Sequence, residues 1–113
     1  MEMTFIPDRG DAVWLDFTPQ VGREQAGRRP ALILSPRAYN ERVGLAIVCP
    51  ITSRVKGYPF EVQIPADTDL HGVVLADQVR SLDWRGRRAE LIRHLPNEVV
   101  AEVLQKLGTL IGK

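Results

Sequence analysis

Cysteine is nearly missing from this chain. Cys49 is the single one among 113 residues, which excludes an internal disulfide and fits a reducing compartment. Set in Ala46-Ile47-Val48-Cys49-Pro50, it reads as a small buried hydrophobe rather than a nucleophile. Histidine is scarce too. His71 and His94 have no partner at metal-ligand spacing, and no H-E-x-x-H, paired-cysteine or calcium-loop pattern occurs. No metal site and no cofactor are therefore expected, and both histidines read as surface or strand-end side chains. Ser35, Ser53 and Ser81 stand in no nucleophile elbow, and there is no phosphate-binding P-loop. No apolar run approaches the ~20 residues of a membrane span, and Met1 to Asp8 contain no signal-peptide h-region. The expectation is a cytoplasmic protein with no membrane partner. Repeats, linkers and low-complexity tracts are also missing, so residues 1–113 read as a single domain.

Net charge is nearly missing as well, at +1, but the charges are unevenly spread. Residues 1–17 carry four acids and one base, and residues 61–79 carry four acids and no base. Residues 18–60 carry seven bases against two acids, and residues 80–95 five against two. Two basic blocks, mostly arginine, form one cationic surface if the fold joins them, and two solvated faces if it does not.

The apolar pattern is that of short strands. Val13, Leu15 and Phe17 alternate with Ala12, Trp14 and Asp16. Strands are also read at 30–35, at 45–51 with an interruption at Pro50, at 60–64, at 72–76 running on towards Leu82, and at 89–95. A short irregular or helical piece spans 37–44. After Pro96, Val99, Val100, Val103, Leu104, Leu107, Leu110 and Ile111 recur at helical spacing. Many short strands and one terminal helix predict a mainly β, α+β fold: a small coiled antiparallel sheet or partly open barrel with helices outside it.

The chemistry-bearing residues gather in the loops. Gly22-Arg23-Glu24-Gln25-Ala26-Gly27-Arg28-Arg29-Pro30 places three arginines, a carboxylate and an amide before the apolar run at Ala31. Arginine's planar fork suits a phosphodiester, and glycine allows close approach. RNA brings its own nucleophile, the 2′-OH, so a protein that cleaves it supplies a proton acceptor, a proton donor and charge stabilisation. Arg29 suits the last of these, and Thr52, opening the second basic loop, suits a hydrogen bond to phosphate. Glu24 suits a proton acceptor or a holder of Arg29, and Asp77 is a carboxylate interrupting an apolar strand. Each has a plainer reading: Arg29 paired with an acid, Thr52 capping a turn, Glu24 solvated, Asp77 satisfying backbone donors. Trp14, Tyr39, Tyr58 and Trp84 lie in or near the basic segments, where aromatic faces stack bases. Trp14 reads equally as core, and Tyr58, between Gly57 and Pro59, is the better stacking candidate.

These residues carry a resemblance. Pro7-Asp8-Arg9-Gly10-Asp11, Trp14-Leu15-Asp16-Phe17, Glu24 through Ala31, Leu34-Ser35-Pro36, Tyr39-Asn40, Pro50-Ile51-Thr52-Ser53, Lys56 through Val62 and Ala76-Asp77-Gln78-Val79-Arg80-Ser81 together resemble the MazF/PemK family of toxin endoribonucleases. The resemblance spans nearly the whole chain. It implies an SH3-like or CcdB-like partly open antiparallel β-barrel with a C-terminal helix, working as a homodimer. It implies metal-independent cleavage of single-stranded mRNA at a short motif such as ACA, leaving a 2′,3′-cyclic phosphate and a 5′-hydroxyl and inhibiting translation. It also implies neutralisation by a cognate MazE-like antitoxin whose acidic tail covers the RNA groove.

Carried over by position, the resemblance puts catalysis on Arg29 and Thr52 with Glu24 in support. Ser53 and Asp77 are secondary catalytic or substrate-positioning candidates. Some members have Thr where Ser53 stands. An arginine found two residues before Asp77 in PemK-like members is Leu75 here, so their acid–base pairing does not transfer whole. Expected RNA-binding residues are Arg23, Gln25, Arg28, Lys56, Tyr58, Gln78 and Arg80. The alternative reading is a non-catalytic, CcdB-like toxin acting on DNA gyrase by protein contact, which would need neither Arg29 nor Thr52.

Overall fold

The computed structural model describes residues 5–18 and 27–112. Seven strands and two helices follow in chain order: β1 (Asp11–Asp16), β2 (Arg28–Ile33), α1 (Arg37–Val43), β3 (Leu45–Thr52), β4 (Glu61–Gln63), β5 (Val73–Leu75), β6 (Arg80–Asp83), β7 (Glu90–His94) and α2 (Asn97–Ile111), with a 3-10 turn at Ala66–Thr68. All pairings are antiparallel, in the order β4-β5-β3-β2-β1-β7, with β6 also on β3.

The sheet coils because its central strands carry apolar residues on both faces. One face of β1–β3 sends Val13, Leu15, Ala31, Ile33, Ala46 and Val48 into a core closed by Phe17, Leu82 and Trp84. The other sends Ala12, Leu32, Cys49 and Ile51 into a second core with Val62, Val74 and Leu95, roofed by Val99, Val100, Val103 and Leu107 of α2. The period of two sorts side chains between cores, and the helical period gives α2 its single buried stripe. Pro96 precedes α2 as its cap residue and Glu98 lies in its first turn, where negative charge meets the positive end of the helix dipole.

Three sequence expectations change. The run read as one strand from Gly72 towards Leu82 divides into β5 and β6 around a turn in which the Gln78 amide donates to the Leu75 carbonyl at 3.1 Å. Both halves pair with one edge of β3: β6 with Leu45–Val48 and β5 with Ile51 and Thr52. Pro50 does not interrupt β3. It lies mid-strand opposite Ala31 of β2, in the gap where the other edge changes partner from β6 to β5, so its missing N–H costs no ladder bond on that side. The piece at 37–44 is helical, ended by Gly44 at φ 81°. β2 starts two residues earlier than its apolar run and so takes Arg28 and Arg29 into the sheet.

Candidate functional site

The ladder between β2 and β3 brings the two principal candidates together. Ala31 faces Pro50, and the same register carried two residues further sets Arg29 opposite Thr52. Both lie where the strands leave the apolar core for the basic loops. Arg29 is half-buried and Thr52 buried. The Thr52 hydroxyl oxygen accepts the Arg54 amide at 3.1 Å, the turn cap foreseen as its plain role. That bond uses the oxygen as acceptor and leaves the O–H to donate.

Gly72 locks this strand end. Thr52 pairs with Val73, and a Cβ at Gly72, whose φ is +122°, would lie 2.2 Å from the Thr52 carbonyl oxygen. Only glycine permits both that backbone conformation and that approach.

The two basic blocks meet at the neighbouring end of β1, β2 and β7, around acids. Arg28 reaches Asp16 at 3.5 Å and Glu90 at 2.6 Å, and donates to the Arg88 carbonyl at 2.7 Å. Arg88 reaches Asp16 at 3.0 Å. Arg87 donates to the carbonyls of Asp16 and Thr18, at 3.0 and 2.9 Å. Arg88 itself adopts φ 56°, a strained backbone held by these bonds. Hydrogen bonding from Arg88 holds the Asp16 carboxyl below its ordinary pKa, opposed by partial burial and helped by the charges of Arg88 and Arg28. Arg28, expected to bind RNA, has most of its donors engaged by this network.

Between these regions lies an open cleft of about 560 Å³, lined by Trp14, Gly27, Arg28, Arg29, Pro30, Ile51, Ser53 and His71. Ser53 reaches it; Asp77 is not among its lining residues. His71 was missed as a lining residue, and Trp14 was weighed as a stacking face that reads equally as core. The alternation of β1 puts Trp14 on the face opposite Val13 and Leu15, which is the one signal in its favour. His71 carries no sequence signal, because a fold-dependent pairing brings the turn before β5 to the end of β3.

Asp77, Tyr58, Gln78 and Arg80 form the far side of the β3–β5–β6 junction. The Tyr58 hydroxyl donates to the Asp77 carboxylate in a short hydrogen bond. That bond, with some burial and the Asp77 charge, raises the Tyr58 phenol above its ordinary pKa. Among the described residues, Asp77 Oδ1 and Arg80 Nη1 are buried without a hydrogen-bond partner. Lys56 is exposed and makes no ion pair among the described residues. The backbone amides of Lys56 and Gly57 donate to Glu61 at 2.9 and 3.0 Å. Trp84, one of the aromatics near the basic segments, is buried, its indole N–H on the Asn40 carbonyl at 2.9 Å, and is not open to stacking. Burial, then the charge of Asp77, pushes the Cys49 thiol up to about 12. Arg23, Glu24 and Gln25 lie outside the described residues. Among those described, no group of three or more His, Cys, Asp or Glu is placed to hold a metal ion, and no helix is long and apolar enough to cross a membrane.

Known proteins are similar to this chain in sequence and in fold. The family described as PemK-like, MazF-like toxin of type II toxin–antitoxin system matches residues 8–111. The chain belongs to this family. It is 44% identical over 112 residues to the endoribonuclease toxin MazF of Escherichia coli (strain K12), covering 99% of this chain and all of that one. It is 40% identical over 110 residues to the endoribonuclease toxin ChpB of the same strain, covering 92% of this chain and 93% of that protein. The fold superposes on MazF from Deinococcus radiodurans with a TM-score of 0.94 at 61% identity, covering 97% of this chain and all of the other. A MazE–MazF structure from the same organism matches with a TM-score of 0.88 at 61% identity, covering 96% of this chain and 98% of the other.

Proposed function

We propose that this endoribonuclease toxin cuts single-stranded RNA by using the RNA's own 2′-hydroxyl, with Arg29 and Thr52 as the groups that stabilise the phosphorane. The position of Arg29 and Thr52 just beyond the Ala31–Pro50 pair of β2 and β3 carries the reading. The 2′-hydroxyl gives its proton to water as its oxygen bonds to phosphorus, and the P–O5′ bond breaks with O5′ taking a proton from water, which yields a 2′,3′-cyclic phosphate and a 5′-hydroxyl. Negative charge grows on the non-bridging oxygens. A guanidinium meets that charge with a fixed fork of donors, and the Thr52 O–H adds a neutral one. A guanidinium carries five donors and no acceptor, so Arg29 stabilises charge and does not act as the base. Glu24 keeps the supporting role that the sequence assigns it.

The substrate is mRNA, cut at a short motif read by residues in the segments 18–28 and 53–58, and the outcome is arrest of translation in the cytoplasm. The working unit is a homodimer whose groove gathers cations from both copies. A MazE-like antitoxin of acidic character neutralises the toxin by covering that surface, as charge complementarity favours. Support for such a partner comes from the MazE–MazF structures of Deinococcus radiodurans.

The test is end-mapped cleavage of a long unstructured RNA by purified antitoxin-free protein in EDTA. Discrete cuts at one motif with cyclic-phosphate ends are expected. Arg29→Ala should lower the rate by at least about 100-fold, the usual cost of an oxyanion donor, with its oligomeric state unchanged. Intact RNA from the wild type, or full activity in Arg29→Ala, overturns the assignment.

A further inference from the structure

The stretch between β3 and β4 has no strand partner. Residues 53–60 leave Thr52 and return at Glu61, and side chains set their course. The Thr52 hydroxyl takes the Arg54 amide at 3.1 Å. The Glu61 carboxylate takes the amides of Lys56 and Gly57 at 2.9 and 3.0 Å. Gly57 turns the chain at φ +77°, a backbone that glycine adopts without strain. Those bonds shape the loop from its own two ends. Two others tie it to distant parts of the chain. Lys106 of α2 holds the Pro59 carbonyl at 2.8 Å, and the Tyr58 hydroxyl donates to the carboxylate of Asp77, in the turn between β5 and β6.

Asp77 is well placed to hold that hydroxyl. Its turn is fixed on both sides: the Ala76 amide donates to the Phe60 carbonyl at 3.0 Å, and the Gln78 amide to the Leu75 carbonyl at 3.1 Å. Asp77 Oδ1 is buried without a hydrogen-bond partner. Among the described residues, the Tyr58 hydroxyl on Oδ2 is therefore the one donor that meets this carboxylate. A charge-assisted bond of this kind is roughly twice as strong as a neutral one. The same bond, with burial and the Asp77 charge, is what raises the Tyr58 phenol. The ring itself leans on Phe60, with centroids 5.9 Å apart and planes tilted by 54°, within the usual range of an aromatic pair.

We propose that the Tyr58–Asp77 hydrogen bond is a latch that holds the 53–60 loop in the shape that receives RNA, so that Asp77 is a positioning residue acting through Tyr58. The inference rests on the RNA-cleaving role argued above and deepens it. The loop starts at Thr52 and carries Lys56, an exposed cation. A loop already ordered when RNA arrives loses less conformational entropy on binding. The latch thus acts on substrate binding, through the Tyr58 hydroxyl rather than its ring face. Asp77 is not among the residues that line the cleft with Arg29, which sets it apart from the groups around the phosphate.

Three substitutions separate this role from stacking and from proton transfer. Tyr58→Phe keeps the ring and loses the donor. Asp77→Ala loses the acceptor, and Asp77→Asn keeps an acceptor without its charge. On an oligonucleotide containing the mapped cleavage motif, Tyr58→Phe and Asp77→Ala should each raise KM with kcat nearly unchanged. The rise should be about 10-fold, the lower end for a hydrogen bond to a charged group, because Tyr58 is 43% exposed. Affinity for the same oligonucleotide, made uncleavable by a 2′-deoxy substitution at the cut position, should fall equally. Asp77→Asn should lose only about 3-fold, since a neutral bond remains. The double variant Tyr58→Phe/Asp77→Ala should be no worse than either single one. Amide exchange at Lys56 and Gly57 should quicken in Tyr58→Phe. In a Tyr39→Phe background Tyr58 is the one tyrosine left. Its phenol should ionise above the ordinary value of about 10 and return towards it in Asp77→Ala.

Wild-type KM and exchange in Tyr58→Phe overturn the proposal, because the hydroxyl then holds nothing. Equal loss of kcat in Asp77→Asn and Asp77→Ala, with wild-type KM, overturns it as well and makes Asp77 a proton-transfer group. Additive losses in the double variant also overturn it. Failure of the wild type to cut any RNA is a separate result that overturns the cleavage reading, and the phenol titration and amide exchange still decide whether the latch exists.

Discussion

Asp16 shows how a single residue decides whether nearby arginines are available to RNA. It holds Arg28 and Arg88 and is itself a quarter exposed. Its carboxyl is lowered in the folded protein, chiefly by the Arg88 hydrogen bond. A lowered carboxyl pKa stabilises the fold fully above the ordinary carboxylate value of about 3.9 and loses that contribution as pH falls through the lower, folded value. Asp16→Asn should therefore reduce the melting temperature by a few degrees at neutral pH. The gap to wild type should stay level down to about pH 5 and close at more acid pH. Melting curves across pH 2.5–7 check this. A gap that does not narrow in acid would mean that Asp16 acts through packing rather than charge. Arg28 was named for RNA from its place in a basic loop, and the sequence could not show that Glu90, 62 positions on, would claim it.

At the scale of elements, the alternating pattern of β1 and the helical pattern of α2 were legible because each side chain's face follows from its own neighbours. The split of 72–82 was not. Both halves are apolar, and only the length of β3 reveals that two strands share its edge. The cleft was hidden for a related reason. Its walls come from β1, β2, the end of β3 and the turn before β5, so none of its residues has a neighbour in sequence that explains it. Arg29 and Thr52 were named from their chemistry and from resemblance, and both stand at the loop ends of β2 and β3, past the Ala31–Pro50 pair.

A second coupling between elements involves α2. The Lys106 ammonium donates to the carbonyls of Pro59 and Glu61, at 2.8 and 2.9 Å, with Glu102 at 3.5 Å. The last helix is thereby fastened to the segment that carries Lys56 and Tyr58. Lys106→Met keeps the aliphatic stem and removes the donor. It should cost about 1–2 kcal/mol in urea unfolding, since charge-assisted bonds count for more than neutral ones but this one is partly solvated. Amide exchange should quicken at Lys56 and Gly57, whose protection depends on Glu61. Unchanged exchange with the full stability loss would confine the tether to α2 itself.

For the whole molecule, a net charge of +1 conceals a division of labour. Cations around Asp16 and Glu90 are spent on the fold, whereas Lys56 stands unpaired among the described residues and projects from an exposed loop. Only unspent cations release counterions when a polyanion binds. For single-stranded nucleic acid, the slope of log K against log salt is about −0.7 per phosphate neutralised. Lys56→Gln should therefore flatten the slope for RNA by about 0.7 for each copy of the residue in the groove. It should also weaken an acidic antitoxin if that partner covers the RNA surface as proposed. Titrations from 50 to 300 mM salt, with the uncleavable oligonucleotide and with a cognate antitoxin, measure both. A slope that falls for RNA alone would place the antitoxin on a different face, and an unchanged slope for both would take Lys56 out of the groove.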